Sequence, residues 1–104
     1  MATHLVSEVQ HLDRNPPEIH YLMLEESDNK YYFRAGEVIG RGVASGGGEA
    51  KFDISSLLKM NGYETFLRDT DCEWMHEILI NENTTENEKY LKVLNRCKLK
   101  NINI

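Results

Sequence analysis

Apolar residues recur with two different periods along the chain, and each period predicts one type of element. Near the start, Leu5, Val9 and Leu12 recur at the spacing of one helix face, after Thr3 as a candidate N-cap. The sequence NPP at 15–17 would end such a helix, since a residue that precedes proline is disfavoured in the α region. The pattern therefore predicts a short N-terminal helix.

Two runs rich in aromatic and β-branched residues follow, EIHYLMLEE at 18–26 and KYYFRAGEVIG at 30–40. Both are typical of strands. The residues between them, Ser27, Asp28 and Asn29, are typical of a turn, because Asp and Asn tolerate positive φ. The sequence therefore predicts a β-hairpin. Its first strand is apolar on both faces, which favours a central strand that is covered on both sides.

The middle of the chain mixes the two periods. KFDISSLLKMNGY at 51–63 predicts the entry of a strand and then a short helix that ends in a left-handed cap at Gly62. ETFLRDT at 64–70 predicts a further strand. Residues 72–80 fit a helix or a strand; a helix is favoured, with Asp71 as its N-cap, because the apolar residues pair at i,i+4.

The last segment has the clearest pattern. Thr85 to Glu88 has the sequence of a capping box. The apolar residues after it recur at i, i+3, i+4 and i+7, as on one buried helix stripe: Tyr90, Val93, Leu94 and Cys97. Together the elements predict a single α+β domain over residues 1–104, with a mostly antiparallel sheet of about 3–5 strands, an N-terminal helix and C-terminal helices.

Composition narrows the class of protein. The net charge of −5 argues against duplex nucleic acid as the main ligand. No apolar run approaches the roughly 20 residues of a membrane span, and the first residues lack the pattern of a signal peptide. We therefore expect a cytoplasmic protein with no membrane partner, in which Cys72 and Cys97 are reduced core thiols. The oligomeric state stays open.

Two stretches raise the question of enzymatic chemistry. The segment from Gly40 to Gly48 is glycine-rich but lacks the spacing of a phosphate-binding loop, and a plain loop is the simpler interpretation. One face of the predicted N-terminal helix would carry His4, Glu8 and His11, whose side chains can bind a metal ion. A helix at the chain terminus frays, however, and would hold such ligands poorly in place. We expect no enzymatic activity, no cofactor and no metal site.

Charge is segregated sharply near the end of the chain. Residues 69–88 hold seven carboxylates and no Lys or Arg, whereas residues 89–104 hold five Lys or Arg and no carboxylate. Part of this pattern complements helix dipoles: Glu86 and Glu88 precede the basic residues, and Asp71 and Glu73 lie at the start of the helix favoured at 72–80. Asp69, Glu77 and Glu82 have no such role, and an unneutralised acidic patch suggests a cationic partner.

The sequence therefore favours a small inhibitor that binds a basic protein and occludes its active site. Bacterial immunity proteins, which neutralise nuclease toxins, are an example of this character, although no motif of theirs is present. The candidate partner-binding residues are Asp69, Asp71, Glu73, Trp74, Glu77 and Glu82. Two alternatives remain: a small-molecule or nucleotide-sensing domain that uses the Gly40 to Gly48 loop, and a small metal-dependent enzyme that uses His4, Glu8 and His11.

Overall fold

An antiparallel sheet forms the first half of the molecule, and helices form the second half. The computed structural model describes residues 2–40 and 46–102. Within them the strands are β1 (Ala2–His11), β2 (Glu18–Ser27), β3 (Lys30–Ile39) and β4 (Gly46–Phe52), paired in the order β1-β2-β3-β4. The helices are α1 (Ile54–Leu58), α2 (Tyr63–Asp69), α3 (Met75–Ile80) and α4 (Glu86–Ile102). The predicted α+β class with an antiparallel sheet is confirmed.

The predicted hairpin is formed by β2 and β3. Its two turn residues, Asp28 and Asn29, have φ of 51° and 64°, the left-handed values that a two-residue hairpin turn requires. Ser27 therefore pairs with Lys30, and each step back along β2 matches one step forward along β3. The predicted central position of β2 is confirmed, since it pairs with β1 and β3. The predicted cover on both faces is not observed: within the described residues, helices lie on only one face of β2.

The predicted N-terminal helix is wrong, because residues 2–11 form the edge strand β1. The spacing that suggested a helix was a coincidence: Leu5 is 50% exposed and Leu12 is 63% exposed. The pairing with β2 slips between Leu5 and Ser7, so Val6 is an extra residue in the strand. This bulge turns Val6 into the core, where it is buried, and it breaks the alternation that would have indicated a strand.

The prediction of a strand at 64–70 is also wrong, because this segment forms most of α2. The helical stripe consists of Tyr63, Phe66, Leu67 and Thr70, at i, i+3, i+4 and i+7, with the last two buried. The short helix before it, α1, is capped by Asp53, whose carboxylate accepts the Ser56 N–H at 2.8 Å.

The ends of the remaining helices match the sequence in part. Thr85 and Glu88 form the predicted capping contact at the start of α4, with the Glu88 N–H donating to Thr85 Oγ1 at 3.1 Å. The favoured helix at 72–80 is present as α3, but Trp74 occupies its N-cap position. Asp71 is not the N-cap, because it lies in a left-handed turn with φ of 53°. Gly62 has φ of 84° but precedes α2 instead of closing α1.

The core lies between one face of the sheet and the helices. The sheet contributes Leu22, Leu24, Phe33 and Ala35, and α4 packs on β1, β3 and α3. The four predicted stripe residues of α4, Tyr90, Val93, Leu94 and Cys97, are all buried there. Both cysteines lie in the core, and the Cys72 thiol donates to the Thr70 carbonyl at 3.2 Å.

The other face of the sheet is closed by its own polar side chains. Glu25, which is 3% exposed, accepts hydrogen bonds from Tyr32 and Arg34 on the neighbouring strand. Arg34 Nε also lies 3.2 Å from Glu49, and the Lys51 ammonium lies 5.2 Å from the Tyr32 ring centre. Among the helices of the described residues, none has the length and apolar character to cross a membrane.

Candidate functional site

The six residues that the charge pattern singled out occur between the end of α2 and the start of α4. Asp69 is the last residue of α2, and its Oδ1 lies 3.1 Å from Arg14 Nη2. Trp74 is half-buried against the core, and the Arg96 guanidinium lies 4.9 Å from its ring centre. The other four, Asp71, Glu73, Glu77 and Glu82, are exposed.

These four carboxylates belong to a longer acidic segment, which we define as Glu64, Asp71, Glu73, Glu77 and Glu82. All five side chains are exposed, and none forms an ion pair with a side chain that the structure describes. Glu64 and Glu77 lie in the first turns of α2 and α3, and Glu73 directly precedes the N-cap of α3, so these three complement helix dipoles. Asp71 and Glu82 lie outside the helices and have no such role.

Most other carboxylates have a partner inside the molecule. On the sheet, Glu25 and Glu49 contact Arg34, Glu26 contacts His4, and Glu18 contacts Arg14. Asp53 and Glu88 are used in helix caps. In the described ranges, three exposed acids outside the acidic segment lack such contacts: Glu8, Asp13 and Asp28. The charge segregation seen in the sequence therefore persists in the folded protein.

A groove of about 240 Å³ runs between α2 and the start of α3. Glu64 and Glu73 line it together with Arg68 and His76. The His76 ring is held at its edge by Tyr63, whose hydroxyl lies 3.2 Å from Nδ1. Burial raises the pKa of that tyrosine. The groove thus brings two members of the acidic segment together around a single arginine.

A larger pocket, of about 340 Å³, opens between the sheet and the first two helices. Its apolar walls come from β3, β4 and the α1–α2 region, and include Phe52, Met60 and Phe66. The polar groups in the lining include His20 and Glu37. A concave apolar site with a few convergent polar groups is the usual form of a small-molecule site.

A cluster of ionisable side chains borders this pocket. His20 Nε2 lies 2.8 Å from Glu18 Oε1 and 3.7 Å from Glu37 Oε2. Arg14 Nη1 lies 2.9 Å from the same Glu18 oxygen, while its other terminal nitrogen contacts Asp69. Hydrogen bonds from His20 and then Arg14 hold the pKa of Glu18 below its usual value. We call Glu18, His20 and Glu37 the Glu-His-Glu cluster.

Sequence reasoning missed this cluster. Glu18 and His20 are two apart, which places them on the same face of a strand. His20 pairs directly with Glu37 because the two-residue turn sets the register of β2 and β3. The sequence therefore contained enough information to pair His20 with Glu37, provided that the turn was placed at Asp28 and Asn29. Arg14 and Asp69 join through tertiary contact alone.

The metal-ligand trio that the sequence suggested is not assembled. His4 pairs with Leu24 on the helix side of the sheet, whereas Glu8 pairs with Tyr21 on the opposite side. His11 is near the far end of β1, where its ring meets the His20 ring edge-on at 4.9 Å. In a strand these residues are spread along its length, so they share no site.

The glycine-rich stretch also differs from the expected loop. Residues 41–45 lie outside the described residues, but Gly46 to Gly48 belong to the edge strand β4. Gly48 lines the large pocket beside Glu49 and Ala50. This segment therefore contributes backbone to a pocket wall. The rest of β4 separates the glycines from the N-terminus of α1, which the Asp53 carboxylate caps, so they do not form a phosphate cradle at a helix start.

Comparison of the chain with models of protein families, with curated proteins and with solved structures finds no match.

Proposed function

We propose that this protein is an inhibitor that binds a cationic protein through its acidic segment. The observation that carries the proposal is the contrast in charge pairing. Apart from Glu8, the carboxylates on the sheet and at the start of α4 have internal partners. In contrast, Glu64, Asp71, Glu73, Glu77 and Glu82 are exposed and have no ion pair with a described side chain. Repulsion among such groups disfavours the folded state, and a cationic partner would relieve it.

The acidic segment suits association with a basic cleft. Opposite surface charges steer two proteins into contact and raise the association rate, more than they raise the final affinity. Within the segment, Glu64 and Glu73 converge on one groove, while Glu77 lies on the next helix. A chain of this size can provide roughly 800 Å² for a standard interface.

The partner we propose is a nuclease-type toxin whose active site binds phosphates. Carboxylates on the inhibitor would occupy the positions of those phosphates and block access of nucleic acid to the cleft. An immunity protein of a toxin-producing bacterium, acting in the cytoplasm, would have this role. Trp74 contributes indirectly: it packs beneath Arg96 and holds α3 against the core.

The test is binding of the purified toxin domain encoded beside this chain's gene, at low and high salt. We expect tight binding at low salt, loss of affinity at high salt, and inhibition of nuclease activity. The double variant Glu73→Lys/Glu77→Lys should weaken binding by about tenfold or more. The matched control Glu8→Lys/Asp13→Lys makes the same change in net charge on other exposed sites and should bind like the unaltered protein.

Two results would reject the proposal. One is equal weakening by both double variants, which would show an effect of net charge alone. The other is absence of binding by the unaltered chain at low salt. Circular dichroism of both variants establishes that the fold is intact, as is expected for exposed positions.

A second candidate function is supported by the large pocket. Its volume of about 340 Å³ and its apolar walls suit part of a small molecule, and the glycine-rich segment reaches its rim at Gly48. If the protein senses nucleotides there, ATP or GTP at saturating concentration should raise its melting temperature. Ala50→Phe, which places a ring in the lining of the pocket, should abolish that rise.

A further inference from the structure

His20 Nε2 lies at a point where three charged or polar groups converge. Glu18 Oε1 is 2.8 Å away, Glu37 Oε2 is 3.7 Å away, and Arg14 Nη1 is 3.3 Å away. The ligand-type atoms of the Glu-His-Glu cluster all lie within 4.8 Å of one another. His20 and Glu18 are partly buried, with side chains 13% and 22% exposed.

His20 Nε2 and Arg14 Nη1 share one acceptor, Glu18 Oε1, at 2.8 and 2.9 Å. The two nitrogen atoms are therefore brought to 3.3 Å from each other. The second carboxylate, Glu37, approaches the same imidazole nitrogen at 3.7 Å. A cation placed between Nε2 and the carboxylates, with Arg14 moved aside, would satisfy all three ligand atoms.

We propose that Glu18, His20 and Glu37 form a binding site for a divalent metal ion of the zinc class. An imidazole nitrogen and a carboxylate oxygen are both ligand types that bind Zn²⁺ in proteins. Imidazole favours Zn²⁺ and its transition-metal neighbours over Mg²⁺ and Ca²⁺, which prefer oxygen ligands alone. This site is separate from the acidic segment, so the proposal is independent of the proposed inhibitor function.

The position of the cluster distinguishes it from an ordinary surface ion pair. His20 and Glu37 both line the pocket of about 340 Å³, whose other walls are largely apolar. Three protein ligands leave a coordination position for water or for a ligand atom, as in zinc sites that are open to a cavity. The pocket would give a small molecule access to that position.

Arg14 lies against Glu18 and His20, where the proposed metal ion would bind. Its guanidinium neutralises Glu18 and Asp69 at 2.9 and 3.1 Å. The side chain is 36% exposed, so it can leave the cluster without opening the core. Zn²⁺ and Arg14 therefore compete for Glu18. Removal of the guanidinium should strengthen metal binding, which a purely structural salt bridge would not do.

The experiment is a calorimetric titration of the purified, chelator-treated chain with Zn²⁺ alone. We expect one ion per chain, with affinity lowered about tenfold or more by His20→Gln and by Glu37→Gln. Arg14→Gln should raise the affinity by about tenfold. The control His76→Gln removes an exposed histidine outside the cluster and should leave the titration unchanged.

Glu37→Gln protects the test against a folding artefact, because the Glu37 side chain is 42% exposed and is not needed for packing. Melting of each variant without zinc establishes that it is folded. Zinc binding that His20→Gln and Glu37→Gln leave intact would overturn the site. So would an absence of zinc binding in both the unaltered protein and Arg14→Gln. Unchanged affinity in Arg14→Gln would overturn the competition with Arg14.

Discussion

The ring of Tyr21 lies over Gly36 on the face of the sheet opposite the described helices. A Cβ atom at position 36 would be 2.4 Å from Tyr21 Oη, 2.6 Å from its Cζ and 2.8 Å from the Gly48 carbonyl oxygen. Tyr21 and Gly36 are paired residues of β2 and β3, so the missing side chain on one strand makes room for the ring on the other. The ring thereby shields backbone that glycine would leave open to water.

We expect Gly36→Ala to destabilise the protein by about 1–3 kcal/mol, because the backbone oxygen of Gly48 cannot move aside as a side chain can. The measurement is the free energy of unfolding in urea. Gly48→Ala is the matched control on the neighbouring strand, where a Cβ would meet no atom within 4 Å. Equal stability of the two variants would show that Tyr21 does not depend on the glycine.

Glu25 should make the stability of the fold sensitive to acid. The hydrogen bond from Tyr32, with help from Arg34, holds the pKa of Glu25 below its usual value of 4.5. The folded state therefore binds this proton less readily than the unfolded state does. The stabilisation is complete above the usual pKa, and it is lost as the pH falls through the lowered pKa of the folded protein.

Melting temperatures between about pH 6 and about pH 3 test this expectation. Glu25→Gln should be less stable than the unaltered protein at pH 6, and the difference should shrink toward pH 3. Glu8→Gln, a change of an exposed carboxylate on β1, should run parallel to the unaltered protein. A constant difference for Glu25→Gln across the range would contradict the assignment.

Tyr90 joins the last helix to the first one. Its hydroxyl accepts the Ile54 N–H at 3.0 Å, and the residue is 3% exposed. Tyr90→Phe keeps the aromatic packing but leaves that N–H unsatisfied in the interior. We expect a loss of about 1–3 kcal/mol in the free energy of unfolding.

Tyr31→Phe is the comparison for this change, since Tyr31 stacks on Tyr90 at 5.7 Å and contributes to the same aromatic group. It should change stability by less than about 0.5 kcal/mol. If both variants unfold at the same urea concentration as the unaltered protein, water replaces the hydroxyl at Ile54.

Asp69 links the two candidate sites, because it belongs to the predicted partner-binding residues and also pairs with Arg14 beside the Glu-His-Glu cluster. Its ion pair with Arg14 removes it from the exposed acidic set and ties α2 to the loop after β1. A change at Asp69 would therefore confound the two functional tests, which is why neither uses it.

Local sequence determined the elements whose signals involve neighbours in the chain. The hairpin turn at Asp28 and Asn29, the capping box at Thr85 and the buried stripe of α4 were each predictable, because turn dihedrals, caps and helical periodicity are set within a few residues. The register of β2 and β3, and with it the pairing of His20 with Glu37, follows from the turn.

Tertiary structure decided the rest. β1 is a strand because pairing with β2 and the bulge at Val6 outweigh a weak helical pattern, and α2 is a helix because its stripe packs on the core. Sequence alone showed that the acidic charges were concentrated, but only the fold showed which of them are paired. Arg14 meets Asp69, 55 residues away, by a contact that no local rule contains. Electrostatic pairing depends on distance in space, and that distance is set by packing.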